Sequence, residues 1–294
     1  MAGKTSSLRR PYSVWFLAPG LAMYAVFFLL PTACSFLYAF TNWNTFGIPF
    51  RFVGLDNFVT LFQDPALKQA VTNTLLFGIV TTVGKNVFGL VLALALNGKL
   101  KYEHTWRAVF FIPAVLSPIV IGLLFTAILH PDGMMNDGLR LFGLSELTRE
   151  WLGDRSIVMY TVCGVEIWQW AGFHMALYLA GLQSIPRDYY EAALVDGATG
   201  WRTFKNITWP LIMPAFNVSL VIALIGGLKV FGQVYVLTGG GPGYASQVAF
   251  TMVYQSLAEG RWGVGTAMNL LLFAAIAFIA LTLLVFLRRK EAEL

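Results

Sequence analysis

The chain is 294 residues long, 57% hydrophobic and only 12% charged, with a mean hydropathy of +0.67 and a net charge of +5. Soluble domains carry about 25% charged residues, so there is too little polar surface here to clothe one or two soluble domains of this length. The positive charges form no single basic face, which speaks against nucleic acid, and Cys34, Cys163 and the scattered His104, His130 and His174 offer neither a disulfide framework nor metal-ligand spacing.

Residues 1–11 form a polar tail with Lys4, Arg9 and Arg10. The apolar run that follows, 12–40, is too long for a signal peptide and lacks a small-residue cleavage site. A mixed loop over 41–71 contains the stretch FRFVGLDNF. Five further apolar runs cover 73–96, 109–129, 157–182, 211–229 and 268–287. Each approaches the roughly 20 residues that a helix needs to cross the hydrocarbon core, where helices satisfy their own backbone groups. The fold class expected is therefore an all-α polytopic membrane protein with six transmembrane helices: one domain over 12–287, ending in a short tail at 288–294. Pro113 and Pro118 predict a kink or a delayed start in the third span. Between spans three and four, 130–155 mixes acidic residues with Leu141, Phe142, Leu144 and Leu147, a pattern for short interfacial helices. The string TGGGPG at 238–243 is incompatible with regular helix and lacks the Gly-Lys-Ser/Thr of a phosphate loop.

Basic residues set the orientation. With both termini in the cytoplasm, that side holds Lys4, Arg9, Arg10, Lys99, Lys101, Arg107, Arg187, Arg202, Lys205, Arg288, Arg289 and Lys290, against six on the other side: Arg51, Lys68, Arg140, Arg149, Arg155 and Arg261. The polar interruption at 184–214, SIPRDYYEAALVDGATGWRTFKNITWPLIMP, then lies in the cytoplasm. It reads as a short helix over 187–194, a break at 197–200 and a second short helix over 201–207. Tyr190 and Leu194 in the first piece, and Trp201, Phe204 and Ile207 in the second, give each an apolar stripe. Composition alone leaves a docking element and an ordinary interfacial loop equally open.

Glu191-Ala192-Ala193, Asp196-Gly197, Ile207 and Pro210 resemble the EAA signature of permease subunits in binding-protein-dependent ABC importers; Trp209 stands where that family usually has leucine. FVGLDNF at 52–58, Asn73-Thr74, Phe111 to Pro113, AGLQSIP at 180–186 and TGGGPG extend the resemblance over nearly the whole chain. It is most like the carbohydrate-uptake group that includes the first maltose permease subunit and its glycerol-phosphate counterpart. The resemblance implies the type I permease fold with a coupling loop over 184–210, in a bacterial or archaeal plasma membrane. It implies as partners a second homologous permease, two ABC ATPase subunits and an extracytoplasmic solute-binding protein, with a carbohydrate or sugar-phosphate as cargo. ATP and Mg would sit on the ATPases, no cofactor on this chain, and Glu191, Ala192, Ala193, Asp196, Gly197, Ile207 and Pro210 would form the ATPase contact.

Charged and polar residues inside spans mark cavities, partners or pathways. Glu166, Trp170 and His174 recur at intervals of four in span four with Gln169 beside them, Lys85 is near the middle of span two, and Lys229 and Gln233 are at the outer end of span five. Gln169, Trp170, His174, Gln233 and Glu166 are substrate-path candidates, because tryptophan suits the C–H faces of sugars and glutamine and histidine suit their hydroxyls. Packing readings stay open beside that one: Lys85 and Glu166 as a buried ion pair, His174 as a satisfied bundle histidine. No nucleophile–base constellation or spaced carboxylate pair points to an enzyme. The alternatives to an ATP-driven importer are an ion-coupled secondary transporter using Lys85 or Glu166, and a structural membrane subunit without a substrate path.

Overall fold

The computed structural model describes residues 14–46, 49–98 and 101–291. The tail carrying Lys4, Arg9 and Arg10, loop residue Lys99 and the last three residues lie outside the described residues. The described residues are all-helical, with one isolated bridge between Thr41 and Phe52. In chain order the helices are α1 (Trp15–Tyr38), α2 (Asp56–Gln63), α3 (Pro65–Leu96), α4 (Glu103–Val115), α5 (Pro118–Ile128) and α6 (Met134–Leu141). Then come α7 (Val158–Gln183), α8 (Arg187–Val195), α9 (Gly200–Leu228), α10 (Gly232–Thr238), α11 (Ala249–Ala258) and α12 (Trp262–Glu291).

Helices α1, α3, α9 and α12 are long and apolar enough to cross a membrane, and α4 with α5 is apolar enough to count as a fifth, broken span if the bent pair is taken as one. Helix α7 supplies the sixth run: its 26 residues reach about 39 Å at 1.5 Å each, beyond the hydrocarbon thickness of about 30 Å. Its hydropathy is diluted by Glu166, Gln169 and His174, all of which are buried against protein.

Several boundaries differ from expectation. Helix α3 begins at Pro65, eight residues before the expected start, because the Asp64 carboxylate caps it by accepting from the Ala66 N–H at 2.8 Å and Pro65 takes the first turn. The third span is not one helix. It breaks at Leu116 and Ser117, both extended, and α5 leaves at 98° to α4. Pro118 disfavours helical geometry at Ser117, whose hydroxyl then caps α5. The second helix expected over 201–207 does not stand alone. It is the first turns of α9, passing through a wider π-helical stretch, Phe204–Thr208, just before Pro210 removes a backbone donor. Helix α12 likewise begins earlier, at Trp262. The segment 130–155 carries α6 and one turn of 3-10 helix, Ser145–Leu147, and no regular helix crosses the glycine string after Thr238.

Helix α3 is the central post. One apolar cluster joins its Phe77 to Ile121, Val162 and Val234, a second joins Ala70 to Leu61, Met252 and Met268, and a third joins Ala93 to Met175, Tyr178 and Ile212. The most extensive helix pair is α3 with α7, followed by α3 with α9. Helix α1 stays outside this core, its apolar side chains exposed from Trp15 to Leu30. It touches α12 through Phe36 and Phe273, whose ring centres are 5.6 Å apart.

Three buried asparagines hold the connecting segments. Asn57, from the FVGLDNF stretch, donates to the carbonyls of Ala39 and Thr41 at 2.8 Å each and so ties α2 to the end of α1. Asn73 donates to the carbonyl of Gln247 at 2.8 Å, and Thr74 accepts from the Ala249 N–H at 2.9 Å, anchoring the start of α11 on α3. Asn136 donates to the carbonyls of Pro131 and Arg149 and accepts from the Trp151 indole at 2.9 Å.

Candidate functional site

The charged core of the bundle is an ion pair. Lys85 Nζ on α3 is 2.6 Å from Glu166 Oε1 on α7, and the two side chains are 3% and 7% exposed. Charges this buried persist only when paired, so each residue fixes the position of the other. Beside the pair a second polar chain crosses three helices. His174 Nδ1 is 2.7 Å from Ser219 Oγ; the Ser219 hydroxyl donates to Asn86 Oδ1 at 2.8 Å, and the Tyr178 hydroxyl donates to the same oxygen at 2.5 Å. His174 is thus bonded on one ring nitrogen within the bundle. Asn86, Tyr178 and Ser219 were not singled out in the sequence; a polar residue next to Lys85 and another inside an otherwise apolar run were the available signals.

A cavity of about 340 Å³ opens against these groups. Lys85, Glu166, Trp170, His174 and Gln233 line it, with Phe173 and Phe231 as aromatic walls and Pro118 at the broken span. Its rim carries Ile222, Gly226 and Lys229, all exposed. Such a mixture, mostly apolar with a few placed polar groups, is typical of small-molecule sites. Four of the five substrate-path candidates therefore share one cavity. The fifth, Gln169, does not line it. Fully buried, Gln169 donates its amide N–H to the carbonyl of Leu116 at 2.9 Å and accepts from Gln233 Nε2. It holds the broken span and α10 to α7. Because the Gln169 amide is oriented by the Leu116 carbonyl, Gln233 must donate to it, which leaves Gln233 Oε1 buried without a hydrogen-bond partner. That oxygen, unbonded among the described residues, belongs to a side chain that lines the cavity.

The broken span packs on α7 at a notch. A Cβ added at Gly172 would come within 2.5 Å of the Phe110 carbonyl carbon and 2.9 Å of Phe111 Cα, so only glycine admits the α4 backbone there. Trp168, on another side of α7, is half exposed and meets Phe125 with ring centres 5.1 Å apart.

At the hairpin the sequence pattern has a local physical cause. Helix α8 closes in a Schellman motif: the Ala198 N–H donates to the Ala193 carbonyl at 2.9 Å and the Gly197 N–H to the Leu194 carbonyl at 3.1 Å. Gly197 takes the left-handed position this requires, φ +68°. Ala193 is buried, while Leu194, Val195 and Trp201 are 75%, 88% and 72% exposed. The tip of the hairpin is thus apolar and uncovered, and Leu194 does not join Tyr190 on a buried stripe. Tyr190 faces back toward α9, its hydroxyl 3.2 Å from Thr208 Oγ1. Glu191 is exposed in the middle of α8 rather than in its first turn, where Asp188 sits, and forms no ion pair among the described residues. Asp196 is the exposed C-cap; Ile207 and Pro210 lie partly buried at the start of α9.

Membrane-length helices, a mostly apolar cavity with a few placed polar groups among them and an exposed helical hairpin at the root of one span define an integral membrane transport component. The chain belongs to the family of binding-protein-dependent transport system inner membrane components, whose signature matches residues 85–289. It is 41% identical over 244 residues to the probable ABC transporter permease protein YurN of Bacillus subtilis, covering 82% of this chain and 83% of that one. It is 31% identical over 297 residues, the full length of both, to the probable starch degradation products transport system permease protein AmyD of Thermoanaerobacterium thermosulfurigenes. Among solved structures it superposes with a TM-score of 0.82 and 28% identity, over 94% of each chain, on a chain of a bacterial ABC transporter involved in the import of the acidic polysaccharide alginate. The protein is a multi-pass inner-membrane permease subunit with the fold of ABC importer permeases.

Proposed function

We propose that this permease forms half of the translocation pathway of an ATP-driven carbohydrate importer, and that the cavity between α3, α7, α9 and α10 receives the cargo. The single observation that carries this reading is the composition of that cavity. Trp170, Phe173 and Phe231 offer apolar faces beside the unpartnered acceptor of Gln233 and the ring of His174, a set suited to a polyhydroxylated ring. Relatives named for starch products, lactose and trehalose/maltose transport support the same cargo class.

A second homologous permease closes the open side of the cavity, and an extracytoplasmic solute-binding protein delivers the cargo. Two ABC ATPases, carrying ATP and Mg, receive the hairpin 184–210 on the cytoplasmic side. The uncovered apolar tip of Leu194, Val195 and Trp201 supports that docking, since exposed apolar groups beside a charged helix face mark a partner contact. Glu191, exposed and without an ion pair among the described residues, is placed to meet a basic group across the contact. The Lys85–Glu166 pair serves to hold α3 against α7.

Reconstitution of the complete complex in liposomes tests the reading. Carbohydrate-dependent stimulation of ATP hydrolysis together with ATP-dependent uptake supports it. Uptake that proceeds without the ATPases and collapses with a protonophore would replace it by ion-coupled transport.

A further inference from the structure

The lining of the cavity carries two lysines and one glutamate. Lys85 and Glu166 neutralise each other at 2.6 Å, which leaves Lys229 as the uncompensated charge. Lys229 follows directly on the last residue of α9 and is exposed at the rim; its backbone N–H caps the helix, but its side chain makes no hydrogen bond or ion pair among the described residues. The same lining includes Trp170, Phe173, Phe231 and Gln233, whose side-chain oxygen has no hydrogen-bond partner among the described residues.

We infer that the cargo is an anionic carbohydrate, whose carboxylate, sulfonate or phosphate group is met by Lys229 while its ring lies on the aromatic walls and a hydroxyl donates to Gln233. This rests on the carbohydrate-importer reading and narrows it. The physical argument is desolvation. Closing the open side of the cavity over cargo strips water from the Lys229 ammonium, and a buried cation costs heavily unless an anion replaces that water. A neutral sugar supplies hydroxyl acceptors only, whereas an acid group supplies a charge-assisted hydrogen bond of roughly twice the strength. Lys85 cannot play this part, because its partner is already in place. The helix terminus also favours a cation at Lys229, but that effect fixes no cargo.

The test uses the whole importer, with its own binding protein, in liposomes. The probes are glucuronate, galacturonate, their disaccharides and glucose 6-phosphate, against glucose, galactose and maltose. Native permease, Lys229→Met and Lys229→Arg are compared at subsaturating solute. Because the binding protein is the same in every arm, the ratio of variant to native isolates Lys229. The expected result is that an acidic probe stimulates hydrolysis and uptake, that Lys229→Met lowers both about tenfold for that probe, the worth of one charge-assisted bond, and that Lys229→Arg retains them. Stimulation by neutral probes alone overturns the inference and leaves the importer intact. So does an acidic probe transported equally by native and Lys229→Met protein, the outcome if a carboxylate of the second permease neutralises this lysine. Failure of every probe with native protein removes the carbohydrate reading itself, and the inference with it.

Discussion

Replacing Lys85 by methionine should be among the most damaging single changes in the bundle. Methionine preserves the length and apolar stem of the side chain, so the perturbation is the loss of one charge. That charge is bonded to Glu166 at 2.6 Å, with both side chains nearly inaccessible to water. An exposed pair would be discounted for solvent screening, but this pair has little solvent to screen it. Leaving one buried charge uncompensated costs about 3–5 kcal/mol, while replacing both partners by neutral groups costs far less. Lys85→Met should therefore lower the apparent Tm and abundance of the detergent-extracted complex sharply, and Glu166→Gln added to it should recover much of the loss. The double-mutant cycle should give a coupling energy of about 2–3 kcal/mol, within the range for directly bonded partners. Lys229→Met, which removes an exposed charge, should change stability by no more than about 0.5 kcal/mol. Additivity of the Lys85 and Glu166 variants within about 0.5 kcal/mol would refute the reasoning, because it would mean that the pair is not a unit.

Gln169→Leu should orphan the Leu116 carbonyl and the Gln233 amide N–H, destabilising the complex by about 1–3 kcal/mol and raising thiol labelling of a cysteine placed at Ser117. Gly172→Val should abolish assembly by driving a side chain into the α4 backbone, whereas Gly164→Val, with open space at its Cβ, should assemble normally; abundance in membranes distinguishes them. In a variant lacking Cys34 and Cys163, a cysteine replacing Ser145 should react with an impermeant external thiol reagent in intact cells and one replacing Gly197 should not; the reverse pattern would invert the orientation. Gly197→Leu should leave insertion intact but cost about 1–2 kcal/mol of left-handed strain at the hairpin, releasing the ATPases or uncoupling hydrolysis from uptake. Gly200→Leu, which has open space at its Cβ and no left-handed backbone, is the control, and co-purification of the ATPases reads the outcome.

The helical class of the fold, an irregularity of the third span at its prolines and the break of the hairpin at 197–200 were legible because each rests on local chemistry. The third span nevertheless breaks outright at Leu116 and Ser117, where only a kink or a delayed start was expected. Pro118 constrains its predecessor wherever it stands, and Gly197 permits a positive φ wherever it stands. The early start of α3 is also local, but its signal is the Asp64–Pro65 cap inside a polar stretch, which hydropathy averages away. Side-chain direction was less legible. Glu166, Gln169, Trp170 and His174 are all polar or aromatic on neighbouring positions of α7, yet the bend at Leu116 places an acceptor within reach of Gln169 and draws it into the packing. Spacing along α7 cannot report where another helix breaks. The same limit hid Asn86, Tyr178 and Ser219, which look like minor polar interruptions until α3, α7 and α9 are brought together.

One helix connects the two parts of the proposed machine. Helix α9 begins at Gly200, directly after the hairpin turn, and ends at Leu228, beside the cavity rim at Gly226 and Lys229. Its 29 residues span about 44 Å at 1.5 Å each. Of its irregular features, the π-helical stretch Phe204–Thr208 and Pro210 fall in the half nearer the hairpin, and Pro214 stands at the midpoint. The half nearer the cavity has no proline and is bonded to α3 and α7 through Ser219. Bending on hairpin movement is therefore expected at the root, where rungs are missing, while the cavity half moves with α3 and α7 as one body. A bent root alone would leave the cavity unchanged. Transmission to the cargo then requires that whole three-helix body to turn, and the Ser219–Asn86–Tyr178 chain and the Lys85–Glu166 pair are the polar bonds that make it one body.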